Sequence, residues 1–262
     1  MKIQIPENID LNCSEQYILA IEVHSDQISF FLYNPVKNSD YFHYSISGDK
    51  KPDVFSYFQN IFFDNDFFTL PFKKIYIINY TQVFTFIPTL LYEEKDKEEY
   101  LKFLFTENAG RILHQTVQKP EMVIVYGMSE NKYNFFQRSF ADARIIHYTV
   151  PLITYFQEKG QLINGNRMII NKRKEGIDIF CFSRDNFLLG NHFTCSQLSD
   201  AVYYALFVWR QLKFNQLKDF IYILEEKGDL KNRLKDYVCN IVSIERQEAV
   251  PFEITALSLC EL

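Results

Sequence analysis

YILAIEV (Tyr17–Val23), HSDQ (His24–Gln27), ISFFLYN (Ile28–Asn34) and DYFHYSI (Asp40–Ile46) decide how this chain folds. The first run is almost continuously apolar, as a strand buried on both faces must be. A short polar turn sends the chain back into a second run and then a third, both dense in β-formers, which predicts an antiparallel meander. PDVFSYFQNIFF then places Val54, Phe55, Phe58, Ile61 and Phe62 at helical spacing behind Pro52, and KKIYIIN (Lys73–Asn79) is another buried strand. The order to this point is β-β-β-α-β.

Tyr80–Pro120 breaks the regularity with a strand-like VFTFIP and an amphipathic EEKDKEEYLKFLFTENAG, a helix expected to end at Gly110. From Glu121 the alternation resumes. MVIVYGM reads as a strand, SENKYNFFQRSF as a helix capped by Ser129, ARIIHY as a strand and TVPLITYFQEKG as a helix ended by Gly160. Gly160–Arg167 is the linker candidate. RMIINKR, GIDIFCFSRD and FLLGNHFTC then repeat the three-strand opening. SQLSDAVYYALFVWRQLKF is a helix capped by Ser196, with Leu198, Val202, Ala205, Leu206, Trp209 and Leu212 on one face. FIYILEE (strand), DLKNRLKDYV (helix capped by Asp229) and NIVSIE (strand) complete the repeat. β-β-β-α-β-α-β therefore occurs twice. The fold class is α/β, with two halves of mixed sheet and helices, residues 1–160 with an insertion near 80–120 and residues 161–262.

Composition narrows the function classes. The 262 residues carry 28 Lys+Arg against 33 Asp+Glu, a net charge of −5, which supplies no basic footprint for nucleic acid. Five cysteines without a C-x-x-C pair and an N-terminus without an apolar signal core predict free thiols and a cytoplasmic protein. No apolar run approaches the ~20 residues of a membrane helix.

The duplicated plan resembles the ribonuclease-H-like fold doubled in the actin-like ATPases, the superfamily of actin, the heat-shock chaperones and the sugar kinases. More narrowly, it is similar to the pilus-assembly and cell-division relatives, which also carry an insertion in the first half. On this plan the chain is identified as resembling an uncharacterised bacterial family assigned that fold. PFEITALSLCEL at the end looks like their terminal turn and small-residue helix. In that superfamily, backbone N–H groups of two Gly-rich hairpin turns hold the nucleotide phosphates, because only Gly lets the backbone come so close.

The turns are degraded here. Where the family has Asp-x-Gly-Ser, this chain has Glu22-Val23-His24-Ser25. Where it has Asp-x-Gly-x-Gly-Thr-Thr-Asp, this chain runs from Asn171 through Arg173 and Glu175 to Asp178, and only Asp178 survives. The Gly-Gly turn beside the adenosine is replaced by Glu225-Glu226-Lys227-Gly228, two carboxylates where a polyphosphate would dock. The resemblance thus implies a module without a cofactor, leaning away from catalysis, that works by protein–protein interaction with an unidentified partner or by self-association. The alternative is a nucleotide-binding protein or ATPase using an atypical site in the interdomain cleft.

Other chemistries lack their residues. A two-metal nuclease needs three or four clustered carboxylates; Glu22 matches one position, but Asn79 and Asn171 stand at the next two. Gly160 and Gly165 have Walker spacing but are followed by Asn166-Arg167. His192-x-x-Cys195 is one close pair, where zinc needs three or four ligands. The charges of Glu93–Glu99 suit a helix's first turn. FFDNDFFTLPF is expected to be core, although any exposed part would mark a partner site. Phe103 and Phe105, beside Leu101 and Leu104 on the insertion's helix, are the candidate interface residues.

Overall fold

A computed structural model describes residues 2–37, 40–48, 53–106, 109–140, 142–160, 165–225, 228–245, 254, 256 and 257. The first half opens with β1 (Ile18–Val23), β2 (Gln27–Tyr33) and β3 (Tyr41–Ser47), then α1 (Val54–Asp64) and β4 (Lys74–Asn79). α3 (Glu130–Ser139), β8 (Arg144–His147) and α4 (Thr149–Gly160) lie beyond the insertion. The second half has β9 (Asn166–Arg173), β10 (Gly176–Ser183), β11 (Asn186–Thr194), α5 (Leu198–Gln211), β12 (Phe220–Glu225), α6 (Asp229–Leu234) and β13 (Asn240–Glu245). The sheets have the orders β3-β2-β1-β4-β8 and β11-β10-β9-β12-β13. In each, the first three strands are antiparallel and the last two join in parallel. The duplicated plan predicted from the sequence is therefore present in both halves.

The register repeats as well. Glu22 stands opposite Ser29, and Asn171 opposite Asp178, each pair seven residues apart. Ser29 in turn faces Ser45, and Asp178 faces His192.

Between β4 and α3 lie β5 (Phe84–Pro88), α2 (Lys97–Leu104), β6 (Arg111–Val117) and β7 (Met122–Met128). β7 is the middle strand of a third sheet, β5-β7-β6. The departure from the repeat thus runs to Met128, past the expected limit near residue 120. β7 is buried throughout and so reads like a strand of the main sheet. The long amphipathic helix is also shorter than expected. α2 stops at Leu104, and β6, whose polar and apolar residues mix without clear period, went unpredicted.

Helix starts differ from expectation in a common way. Pro52 lies outside the described residues, and Asp53 caps α1, its carboxylate accepting from Ser56 N at 3.1 Å. Ser129 stands at the N-cap of α3 as expected but makes no side-chain capping bond, and Gln197 rather than Ser196 precedes α5. Asp229 is the first residue of α6, not its cap; Gly228 precedes it with φ 68°, a left-handed conformation that favours glycine.

The chain divides into two compact units, one of Met1–Phe84, Leu91–Gln115 and Ile124–Val150, the other of Thr85–Leu90, Thr116–Val123 and Pro151–Leu262. In the first, Phe30, Phe58, Phe62, Phe67, Phe68 and Phe136 form an aromatic core between the sheet and its helices. The phenylalanines of FFDNDFFTLPF belong to that core or pack against it, apart from Phe63, which is exposed. In the second, Ala201, Ala205, Val208 and Trp209 of α5 and Leu230 and Leu234 of α6 pack on β9, β10 and β12.

β5 lies against β11 through one residue. A Cβ built on Gly190 meets the rings of Phe86 at 2.5 Å and Phe187 at 2.6 Å, and Phe86 also packs against Phe180 and Phe187. Gly190→Ala is accordingly expected to destabilise the protein by about 1–3 kcal/mol through overpacking. Denaturant unfolding measures this; an unchanged midpoint would show that Phe86 does not sit on that strand.

Candidate functional site

The first expected phosphate turn joins β1 to β2. Glu22 is the penultimate residue of β1, with its side chain on the face opposite the aromatic core, and it is buried. Its Oε1 accepts from the Tyr80 hydroxyl at 3.1 Å, and its Oε2 lies 3.7 Å from His24 Nε2. The His24 ring stacks on Tyr80 at 3.8 Å between centroids, and Tyr80 stacks on the buried Tyr148 at 4.7 Å. Where the family pattern has a glycine, an imidazole thus occupies the turn as the first layer of an aromatic stack. Ser25 is exposed at the tip. Lys132 from α3 donates to the His24 carbonyl at 2.9 Å. Burial draws the Lys132 ammonium below the usual lysine range, against the opposing pull of Asp53.

The second turn joins β9 to β10. Asp178 is fully buried, and its carboxylate is engaged from three sides. Oδ1 lies 2.7 Å from His192 Nδ1 and 3.8 Å from Arg173 Nη1, and Oδ2 accepts from Asn171 Nδ2 at 3.1 Å. Asn171, Asp178 and His192 are register partners on three adjacent strands, so the sheet itself forms the row. Glu175 is exposed at the turn, and its carbonyl accepts from Cys195 N at 3.2 Å.

The third position follows β12. The buried Glu225 carboxylate turns onto the amides that begin α6, accepting from Leu230 N at 3.0 Å and Lys231 N at 3.1 Å. An anion at a helix start is stabilised by unpaired N–H groups and the dipole; here the chain supplies that anion. Glu226 lies outside the described residues.

The remaining candidates resolve into structure. Asn79 Nδ2 donates to the Gly127 carbonyl at 2.9 Å, so the nuclease position holds a buried backbone tie. His192 is taken by Asp178, apart from any zinc pairing with Cys195, whose thiol burial pushes up. Among the described residues, no group of three or more His, Cys, Asp or Glu could hold a metal ion. Asn166 begins β9 and bonds Asp219 through its N–H and side chain, at 3.1 and 3.0 Å. Phe103 and Phe105 part company, for Phe103 is 89% exposed and Phe105 half-buried.

Sequence reasoning missed Tyr80, Tyr148, Lys132 and His192 as members of these turns. Of these, the sequence singles out His192 alone, as one of the His192-x-x-Cys195 pair, which points to metal and away from Asp178.

The family profile described as a protein of unknown function (DUF3822) matches residues 6–241. A crystal structure from Bacteroides thetaiotaomicron VPI-5482, of a protein with actin-like ATPase fold and unknown function, is 32% identical. It covers 97% of this chain and 99% of its own, with a TM-score of 0.85. The PilM–PilN type IV pilus biogenesis complex contains a chain of like fold, 12% identical, covering 94% of this chain and 99% of that one at a TM-score of 0.51. No curated protein matches the chain.

Asp178 separates a structural row from a ligand site. Removing one partner of a buried charge network leaves the others uncompensated, at a cost of about 3–5 kcal/mol. Asp178→Ala should therefore unfold at much lower denaturant than the native chain. A neutral or stabilising effect, as at a carboxylate held ready for metal or water, would contradict the assignment.

Proposed function

The chain belongs to the DUF3822 family and has the duplicated actin-like ATPase fold, and from that premise we propose that it is a non-catalytic, cytoplasmic module acting through protein–protein interaction. The observation that carries this reading is the apolar surface of the insertion. Phe103 is 89% exposed and Leu104 54% exposed on α2, and Leu91, just before the helix, is 69% exposed. Leu101 on the same helix is buried at 1%, so α2 is anchored by one residue and presents others outward. Tyr100 fixes the segment ahead of it, donating to the Leu91 carbonyl at 3.0 Å and accepting from Glu93 N at 3.1 Å. An anchored helix with an exposed aromatic is suited to docking in a partner's groove.

The turns support the non-catalytic part. Glu22, Asp178 and Glu225 each bond to groups of their own half, and His24 fills the place of a glycine. Side chains already engaged in this way are poorly suited to receiving a triphosphate. The fold is compatible with such a role, since a like-folded chain occurs in the PilM–PilN complex. No helix is long and apolar enough to cross a membrane among the described residues. The occupant of α2 is another protein or a second copy of the chain.

Phe103→Ser tests the reading, because an exposed side chain contributes within about 0.5 kcal/mol to stability. The variant should melt with the native protein while losing self-association in sedimentation velocity or retention of its partner in pull-down. A fall in melting temperature of several degrees with association unchanged would place Phe103 in the core and remove the basis for this interface.

A further inference from the structure

The second unit contains a cavity of about 810 Å³, lined in part by Phe86, Phe187 and Gly190 and separate from the three turns. Its walls are two sheet edges. β11 is the outermost strand of its sheet and lines it with Asn186–Gly190; β5 is the outermost strand of the third sheet and lines it with Thr85–Pro88. An edge strand presents a row of backbone donors and acceptors to an incoming chain. The pairing of β10 with β11 slips between Cys181 and Phe182, where Cys181 faces Leu189 and Phe182 faces Phe187. Leu188 is the extra residue of that bulge; it is 43% exposed and lines the cavity.

The wall is held in place from behind. Arg167, 1% exposed, donates to the Arg184 carbonyl at 2.6 Å and to Gln157 Oε1 at 3.4 Å, with its guanidinium over the Phe182 ring. Gln157 donates in turn to the Asp185 carbonyl at 3.0 Å. Both residues of the β10–β11 turn are thereby tied down, including Arg184 in its left-handed conformation at φ 52°. Such a wall needs little ordering when a ligand arrives. The charged groups of the lining are Glu121 and Asp185 against Lys119.

We infer that this cavity receives an extended peptide segment of another protein, added as a strand along β11. Its alternate apolar side chains lie against Phe86, Leu188 and Met122, and a basic residue faces Glu121 and Asp185. Strand addition matches this lining because main-chain bonds supply affinity while pockets for alternate side chains supply specificity. The excess of carboxylates selects a basic residue. This surface uses none of the residues of the α2 interface and stands or falls apart from it.

The probe is a phage-displayed random heptapeptide library panned on the full chain, with enriched sequences remade as free peptides for fluorescence polarisation. Enrichment of alternating apolar sequences carrying Lys or Arg is expected, with Kd weakened by about tenfold or more in Leu188→Arg and in Asp185→Lys. Both positions are exposed, so either variant suffices if the other fails to fold. Phe103→Ser should leave these peptides bound as before. No enrichment, an unchanged Kd in the two groove variants, or loss of binding in Phe103→Ser alone would overturn the inference.

Discussion

The central strand of each sheet sets the constraint on which this molecule depends. β1 and β9 are hydrogen-bonded along both edges, antiparallel to the next strand in sequence and parallel to a later one. A parallel partner requires a crossover, and the crossover supplies the helix that covers one face of the sheet. Every polar side chain that these strands bury must then find its partner within reach of a neighbouring strand or loop. In the first sheet Ser29 bonds Ser45 at 3.1 Å across the same row that begins at Glu22. In the second the row is Asn171, Asp178 and His192, with its carboxylate on β10 where the first row carries Glu22 on β1.

That requirement connects fold to function. An actin-like phosphate turn holds its nucleotide through backbone N–H groups beside a carboxylate. Here the side chains at those positions are bonded within the chain. The imidazole of His24 lies on Tyr80, the carboxylate of Asp178 is shared among three side chains, and Glu225 sits on the first amides of α6. Each arrangement ties its turn to groups of the same half. The insertion, for its part, exposes apolar side chains at Leu91, Phe103 and Leu104.

The repeated strand order was readable from the sequence because buried runs such as YILAIEV and RMIINKR are each followed by two further strand-like runs. The absence of glycine from those turns was readable because a missing residue type is visible in one dimension. The partners of the substituted residues were less so. Tyr80, Tyr148 and Lys132 come to the first turn from just beyond β4, from just beyond β8 and from α3, separations that spacing does not encode. β7 shows the converse limit, because a strand buried on both faces carries no mark of the sheet to which it belongs. Helix caps failed for a related reason. Glu225 caps α6 from the preceding strand, while Asp229, the nearer acidic residue, does not.

Titration calorimetry with ATP and magnesium tests the central claim most directly, that the three turns are satisfied by the chain's own side chains. The account predicts no heat beyond dilution at high micromolar nucleotide, for the native protein and for Asp178→Asn alike. Saturable binding in that range, abolished by Asp178→Asn, would contradict it and return the chain to the nucleotide-binding members of its fold.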